Sequence, residues 1–380
     1  MENIYCVTCN RVTNSGVAIS EKAMERRAKS GRGAVIRRKA FLAAVSLAVA
    51  AFAQAGQSVD NKQPAIAARS LSPCVASTCV VPSAATAQPS GGQVVSGSGS
   101  IAQSGDTTTI RQLSQELLLN WQSFNIGSQD TVDFLQPSAS AIAVNRIFST
   151  NGSKILGHLD ANGQVWLINP NGILFGQGAQ VNVGGLVAST LNVSNGSLSG
   201  STMSFSGNGP GSIVNQGTIN AASGGYVALL GNHLSNQGTI TAKLGTVALG
   251  AGSATTLTFS GNSLVKMQVD QSTLNNLAQN GGLIQADGGT VIMSAGAKNA
   301  LLASVVNNTG VIEARTVENH SGTIELLGGM TAGTVNVGGT LDASAPEGGN
   351  GGEIQTSAAH VEVANNAQVT TLAAAGETGT

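Results

Sequence analysis

The segment Asn215-Gln-Gly-Thr-Ile-Asn-Ala221 recurs as Asn236-Gln-Gly-Thr-Ile-Thr-Ala242, 21 residues further on. Degenerate copies follow at Gly282-Leu-Ile-Gln-Ala286, Thr309-Gly-Val-Ile-Glu-Ala314 and Gly339-Thr-Leu-Asp-Ala343, with Gly-initiated runs such as Gly289-Thr-Val-Ile-Met293 and Gly322-Thr-Ile-Glu-Leu326 between them. A period in the twenties made of short strands, with no long helical pattern, points to the stacked coils of a β-solenoid. Leucine-rich repeats share the period, but their L-x-x-L-x-L frame is absent. With 50 glycines and only 3% aromatic residues, the chain has the small side chains that a narrow interior filled layer by layer requires. The predicted fold class is all-β, a single-stranded right-handed parallel β-helix. At about 22 residues and about 4.8 Å per coil, residues 93–380 would form a rod of roughly 60 Å. Asn215 and Asn236 stand at equivalent turns, where amide side chains can stack and hydrogen-bond along the axis.

The local pattern agrees. Val132-Asp-Phe134, Val165-Trp-Leu-Ile168, Val181-Asn-Val183 and Tyr226-Val-Ala-Leu229 read as short alternating strands between Gly/Asn turns. One helical excursion is predicted at Ser272-Thr-Leu-Asn-Asn-Leu-Ala-Gln279, where Leu274 and Leu277 would share a face and Ser272 would cap. Disorder is the rival reading of a Gly/Ser-rich chain, but 41% hydrophobic content argues against it. The chain ends at Thr380 inside the patterned region, and a longer polypeptide is expected.

Of the 18 Lys and Arg, nine lie in residues 1–39 with three acids. Residues 56–380 keep nine basic residues against sixteen acidic ones, a net of −7. A mildly acidic body without a basic patch excludes a nucleic-acid partner. The early charge serves targeting. Arg37-Arg38-Lys39 precedes the apolar run from Ala40 to Phe52, and small-x-small sites follow at Ala51-Phe52-Ala53 and Ala53-Gln54-Ala55. That order is a Sec signal, and the run is too short to span a bilayer. Residues 1–55 are therefore expected to engage the Sec translocon and to be cut by signal peptidase after Ala53 or Ala55. Residues 56–92 read as a low-complexity linker. Within it, Cys74 and Cys79 are compatible with a short-loop disulfide in an oxidising compartment and equally with two free thiols. Cys6-x-x-Cys9 is half a zinc site and falls in the part to be removed.

The opening Met1-Glu-Asn-Ile-Tyr-Cys-Val-Thr-Cys-Asn10 resembles the extended signal peptide region of very large exported bacterial proteins; Tyr5 and Asn10 fit, and Cys9 stands where Trp is common. Further on, several elements stand in one order: Asn120-Trp-Gln-Ser-Phe-Asn-Ile-Gly127, Val132-Asp-Phe-Leu-Gln-Pro137, Asn145-Arg-Ile147, Ile155-Leu-Gly-His-Leu-Asp-Ala-Asn-Gly163, Gln164-Val-Trp-Leu-Ile-Asn-Pro-Asn-Gly-Ile-Leu-Phe-Gly176 and Gly185-Leu-Val-Ala-Ser-Thr190. Together they resemble the secretion domain of the filamentous-haemagglutinin family, which includes the high-molecular-weight adhesins. The predicted organisation is a secretion domain over 93–200 followed by β-helix repeats over 201–380.

At the centre lies Asn169-Pro170-Asn171-Gly172. Pro170 fixes φ, Asn171 tolerates unusual backbone angles, Gly172 accepts positive φ, and Asn169 can bond back to the backbone, so the four residues form a tight turn. The resemblance implies that this turn is also an export determinant. It likewise implies that Asn120, Trp121, Phe124, Asn125, Asn145 and Arg146 contribute to recognition. Some relatives carry an extra N-P-N-L element; its absence here points to the adhesin-like branch. The implied system is two-partner secretion: periplasmic polypeptide-transport-associated domains of an Omp85-type outer-membrane transporter bind the unfolded domain, and the chain folds coil by coil outside. The expected product is a secreted or cell-surface adhesin or haemagglutinin with a host-cell glycan or protein receptor. The front end of a cytolysin or contact-dependent inhibition toxin is the alternative.

Secreted polysaccharide lyases are also β-helices, but their sites need clustered Asp, Lys or Arg. Here the mature basic residues are scattered, His158, His233, His320 and His360 are far apart, and Asp130 and Asp133 read as solvated turn residues. No enzyme activity, metal or cofactor is expected.

Overall fold

Strands of three to six residues cannot bury a face alone, so each must find a partner one coil away. The computed structural model describes residues 6–10, 15–19, 87–193, 200–271, 275–296 and 304–380, and it is built in that way. The chain divides into two units, Met1–Ser77 and Thr78–Thr380. In the first, Cys6–Asn10 and Ser15–Ile19 form an antiparallel pair in the register Cys6↔Ile19 to Asn10↔Ser15. The rest of the expected signal segment, Cys74 and Cys79, and linker residues 56–86 lie outside the described residues.

The second unit is a β-helix with three parallel faces, and no helix occurs among the described residues. The first face runs from Thr107–Gln112 through Thr131–Leu135 and His158–Ala161 to Gln368–Thr370. The second runs from Glu116–Trp121 through Ile142–Ile147 and Gln164–Ile168 to Glu353–Ser357. The third begins at Ser153–Ile155 and ends at His360–Val363. Inward positions stack like on like: Leu117, Ala143, Val165, Leu186, Val227, Val247 and Val291 form one column through the core. Gln93–Ser96 and Gly99–Ser104 pair antiparallel with Glu116–Trp121 and Thr107–Gln112. They close the amino-terminal edge, which would otherwise offer unpaired backbone groups. Residues 87–92 join this closure, with Ser90 bridged to Ser123.

A buried amide ladder runs along the third face. Asn215 Nδ2 donates to Asn236 Oδ1, Asn236 Nδ2 to Asn280 Oδ1 and Asn280 Nδ2 to Asn308 Oδ1, each at 2.8 Å, and all four residues are fully buried. The second amide proton reaches a backbone carbonyl of the next coil, as from Asn236 to Leu283 O at 3.2 Å. The same column holds Ile155 and Phe175 before the ladder and Val337 after it. The interior thus changes from apolar to amide at Asn215 and back again. Steps of 21, 44 and 28 residues separate the ladder members, so the expected uniform coil of about 22 residues does not hold.

The 44-residue step exists because Ala254–Ser260 and Ser263–Gln271 leave the helix as a hairpin. With Asn192–Val193 and Thr202–Ser206 they form a four-stranded antiparallel sheet. Its Met203, Phe205, Leu257, Leu264 and Met267 join a second core with Val144, Trp166, Ile168, Tyr226 and Leu230 from the outer side of the second face. This corrects the reading of Val165–Ile168 and Tyr226–Leu229 as alternating strands, because every residue in both is buried. Continuous apolar runs are what a strand covered on both faces needs. The predicted helix at 272–279 is also corrected. Residues 272–274 lie outside the described part, and Asn276–Asn280 is a strand in which Leu277 pairs with His233 and Val305. Asn276 and Asn280 face inward there, and that inward alternation follows the period of a strand.

The second core holds a polar relay. Trp166 Nε1 donates to Tyr226 OH at 2.9 Å, and Tyr226 OH donates to Gln164 Oε1 at 2.6 Å. Burial pushes the Tyr226 phenol well above the usual tyrosine range, and the bond from Trp166 offsets it only in part. A phenol whose folded value is raised adds stability that is complete below its unfolded value, about 10, and is lost as pH climbs through the folded value. Tyr226 is the one tyrosine in residues 56–380. We expect a native sample of those residues to show no phenolate absorbance step near pH 10, and Tyr226→Phe to remove the alkaline decline in thermal stability. A step at the ordinary value would show that the ring is solvated.

Candidate functional site

The turn Asn169–Gly172 follows directly on the strand Gln164–Ile168, at the corner between the second and third faces. Asn169 is fully buried. Its Oδ1 accepts Asn171 N at 3.0 Å, and its carbonyl accepts Gly172 N at 3.0 Å, which closes the turn. Gly172 has φ 104°, as the sequence predicts, whereas Asn171 has no positive φ. The second asparagine is used for its side chain.

Both amides reach back one coil. Asn169 Nδ2 donates to Ser153 Oγ at 3.0 Å and to Asn151 O at 3.2 Å. Asn171 Nδ2 donates to Ser149 O at 2.7 Å. Gly172 O accepts Ser153 N at 2.9 Å. On the other side the next coil lies so close that a Cβ on Gly211 would stand 2.1 Å from Gly172 N. The turn is therefore a staple. It fixes the 149–153 corner of the coil before it and forms the surface on which the coil after it lies.

The six residues expected to aid recognition separate into three places. Trp121, Phe124 and Asn145 are interior: Trp121 Nε1 donates to Asn145 Oδ1 at 2.9 Å, and the Trp121 and Phe124 rings meet edge to face at 5.3 Å. Asn145 Nδ2 also donates to Ala143 O and Trp166 O, so this buried polar group spans neighbouring coils. Asn125 lies where the third face begins, and its Oδ1 accepts Lys154 N at 2.9 Å, which supplies an acceptor to that strand's edge. Asn120 and Arg146 are half-buried. Asn120 Oδ1 has no hydrogen-bond partner among the described residues, and Arg146 Nη2 donates to Val193 O at 3.4 Å in the outer sheet. Sequence reasoning missed Ser149, Asn151 and Ser153, the acceptors of the staple; the Asn-Gly-Ser at 151–153 carried a turn signal but nothing that tied it to residue 169.

Of the two acids read as solvated, Asp130 is buried, and its Oδ2 accepts Gly127 N at 3.1 Å. It braces a turn, and its other oxygen has no partner among the described residues. Asp133 stands in register with Asp160 on the first face; burial first, and then the neighbouring carboxylate, push its pKa upward. Among the described residues no three His, Cys, Asp or Glu are grouped to hold a metal, and no helix is long and apolar enough to cross a membrane.

A family model of the TPS secretion domain matches residues 85–356. The chain belongs to that family: it carries the secretion domain of a two-partner secretion exoprotein, the partner of a transporter. The heme/hemopexin-binding protein of Haemophilus influenzae (strain ATCC 51907 / DSM 11121 / KW20 / Rd) is 35% identical over 253 residues, which are 63% of this chain and 27% of that protein. A second heme/hemopexin-binding protein of Haemophilus influenzae is 30% identical over 243 residues, 58% of this chain and 26% of that one. The chain thus spans about a quarter of the length of the curated relatives it matches. Among solved structures, the HMW1 secretion domain from Haemophilus influenzae matches with a TM-score of 0.61 at 28% identity, covering 74% of this chain and 84% of that one.

Proposed function

We propose that this chain is exported by an Omp85-type outer-membrane transporter whose periplasmic polypeptide-transport-associated domains take it up before it folds. The observation that carries the reading is the Asn169–Gly172 staple, whose two amides lock onto a coil that would already have emerged. Each coil closed outside in this way opposes back-sliding, as expected of a solenoid that folds from one end. Trp121, Phe124 and Asn145 are buried in the folded domain, so a transporter can touch them only in the unfolded chain. The signal segment hands the chain from the Sec translocon to the periplasm, and the product is secreted or displayed at the cell surface as a binding protein without catalytic activity.

An adhesin or haemagglutinin is one binding role. Binding of heme or hemopexin is a second, favoured by the 35% identity to a heme/hemopexin-binding protein. One experiment addresses both levels. The chain is produced with and without an Omp85-type transporter, and the protein in the medium is quantified and passed over immobilised haem–hemopexin. We expect the chain in the medium only when the transporter is present; equal amounts without it would refute the export reading. Retention on hemopexin selects the second role, and free passage rejects it.

A further inference from the structure

Among the described residues, the outer sheet does not cover the second face completely. Near its amino-terminal end a cavity of about 140 Å³ remains between the helix and the Ser260–Ser263 turn. One side is apolar, made by Ile142, Trp166, Met203 and Phe259, with the Trp166 and Phe259 rings nearly parallel at 21° and 6.2 Å apart. The other side carries Glu116, Gln164 and Asn262. Gln164 is only 5% exposed, its Oε1 is engaged by Tyr226, and its Nε2 has no partner among the described residues. That amide nitrogen is not among the buried atoms left without a partner, so it faces the cavity and is free to donate to an acceptor placed there. Gln115 and Asn262 at the mouth are exposed, so the space opens to solvent.

We propose that this cavity binds one neutral pyranose ring, either a free sugar or the end residue of a glycan. The volume equals that of about five waters, well below the roughly 300–1,000 Å³ of sites for drug-sized ligands. A pyranose has an apolar face for the aromatic side and hydroxyls that both donate and accept. Gln164 Nε2 donates to a ring hydroxyl, and the Glu116 carboxylate accepts from another. Among the described residues, Glu116 is the one charged side chain lining the cavity, and no basic side chain lines it. An acidic sugar is therefore disfavoured. A quaternary ammonium would suit the aromatic side and Glu116, but it offers Gln164 no acceptor. The inference goes beyond the export reading and does not depend on it.

Saturation-transfer NMR on the full chain tests the assignment, with D-glucose, D-galactose, D-mannose and N-acetyl-D-glucosamine as probes, and glucuronate and tetramethylammonium as controls. Transfer to the ring protons of at least one neutral sugar is expected, with a dissociation constant on the order of 1 mM. A terminal-residue site accepts the methyl glycoside of that sugar equally, whereas a site for the free sugar rejects it; both support the assignment. Gln164→Met should weaken binding at least tenfold. Asn262→Ala, in an exposed turn outside the core, should weaken it severalfold and decides the matter if the first variant does not fold. The assignment is overturned if no neutral sugar shows transfer, if only a control binds, or if the folded variants bind like the parent.

Discussion

Replacing Asn236 with Ala is expected to remove about 4 kcal/mol of stability, because it orphans a donor on Asn215 and an acceptor on Asn280, each costing roughly 1–3 kcal/mol when buried without a partner. Asn236 is the second of four stacked amides, and its own two protons serve Asn280 Oδ1 and Leu283 O. A small cavity adds to the loss. Solenoid stability is a sum of near-neighbour terms, so hydrogen exchange should accelerate first in the coils that carry Asn215 and Asn280. Gln237 makes a comparable side-chain bond with Gln216 on the exposed side, and Gln237→Ala should change stability by no more than about 0.5 kcal/mol. Denaturant unfolding of the two variants checks the contrast. Equal and small losses would mean that the ladder follows the fold without supporting it.

Trp166→Ala is the second large effect. Trp166 is 1% exposed, packs against Phe205 and Phe259 and donates to Tyr226. Truncation of a buried aromatic of this size costs about 3–5 kcal/mol, and here the loss falls on the contact between helix and outer sheet. The interior of the helix is a separate core. We therefore expect two consequences: a lower unfolding midpoint, and rapid protease cleavage within 254–271 while the coils on either side stay protected. A variant cleaved no faster than the parent would show that the sheet is held by its own hairpin contacts.

The coil fold was legible in the sequence because its repeats mark the stacking positions directly. Asn215 and Asn236 sit at the same turn of two copies, which announces the first rung of the ladder but not its continuation through Asn280 and Asn308. The outer sheet was not legible. Ala254–Ser260 alternates in the same way as any coil strand, with Thr255 and Leu257 buried between half-exposed neighbours, and nothing in that period tells whether a strand joins the helix or lies over it. Its presence had a trace in the unbroken run Val165–Ile168, which alternation could not explain. The helix assignment at 272–279 failed for a related reason. Leu274 and Leu277 are three apart, which suits a helical face, but the inward alternation of Asn276, Ala278 and Asn280 decides the segment. At the turn, Pro170 and Gly172 announced the geometry. The reach of Asn169 and Asn171 to residues 149–153 depends on coil stacking, which no local motif encodes.

The decisive measurement is the secreted fraction of the chain carrying Asn169→Ala and Asn171→Ala together, produced beside its transporter. Hydrogen bonds to the preceding corner, each worth roughly 1 kcal/mol, are lost together, and at about 1.4 kcal/mol per tenfold change the secreted fraction should fall by an order of magnitude or more. The chain should accumulate in the periplasm. Secretion at the parent's level would contradict the claim that this corner couples folding to export.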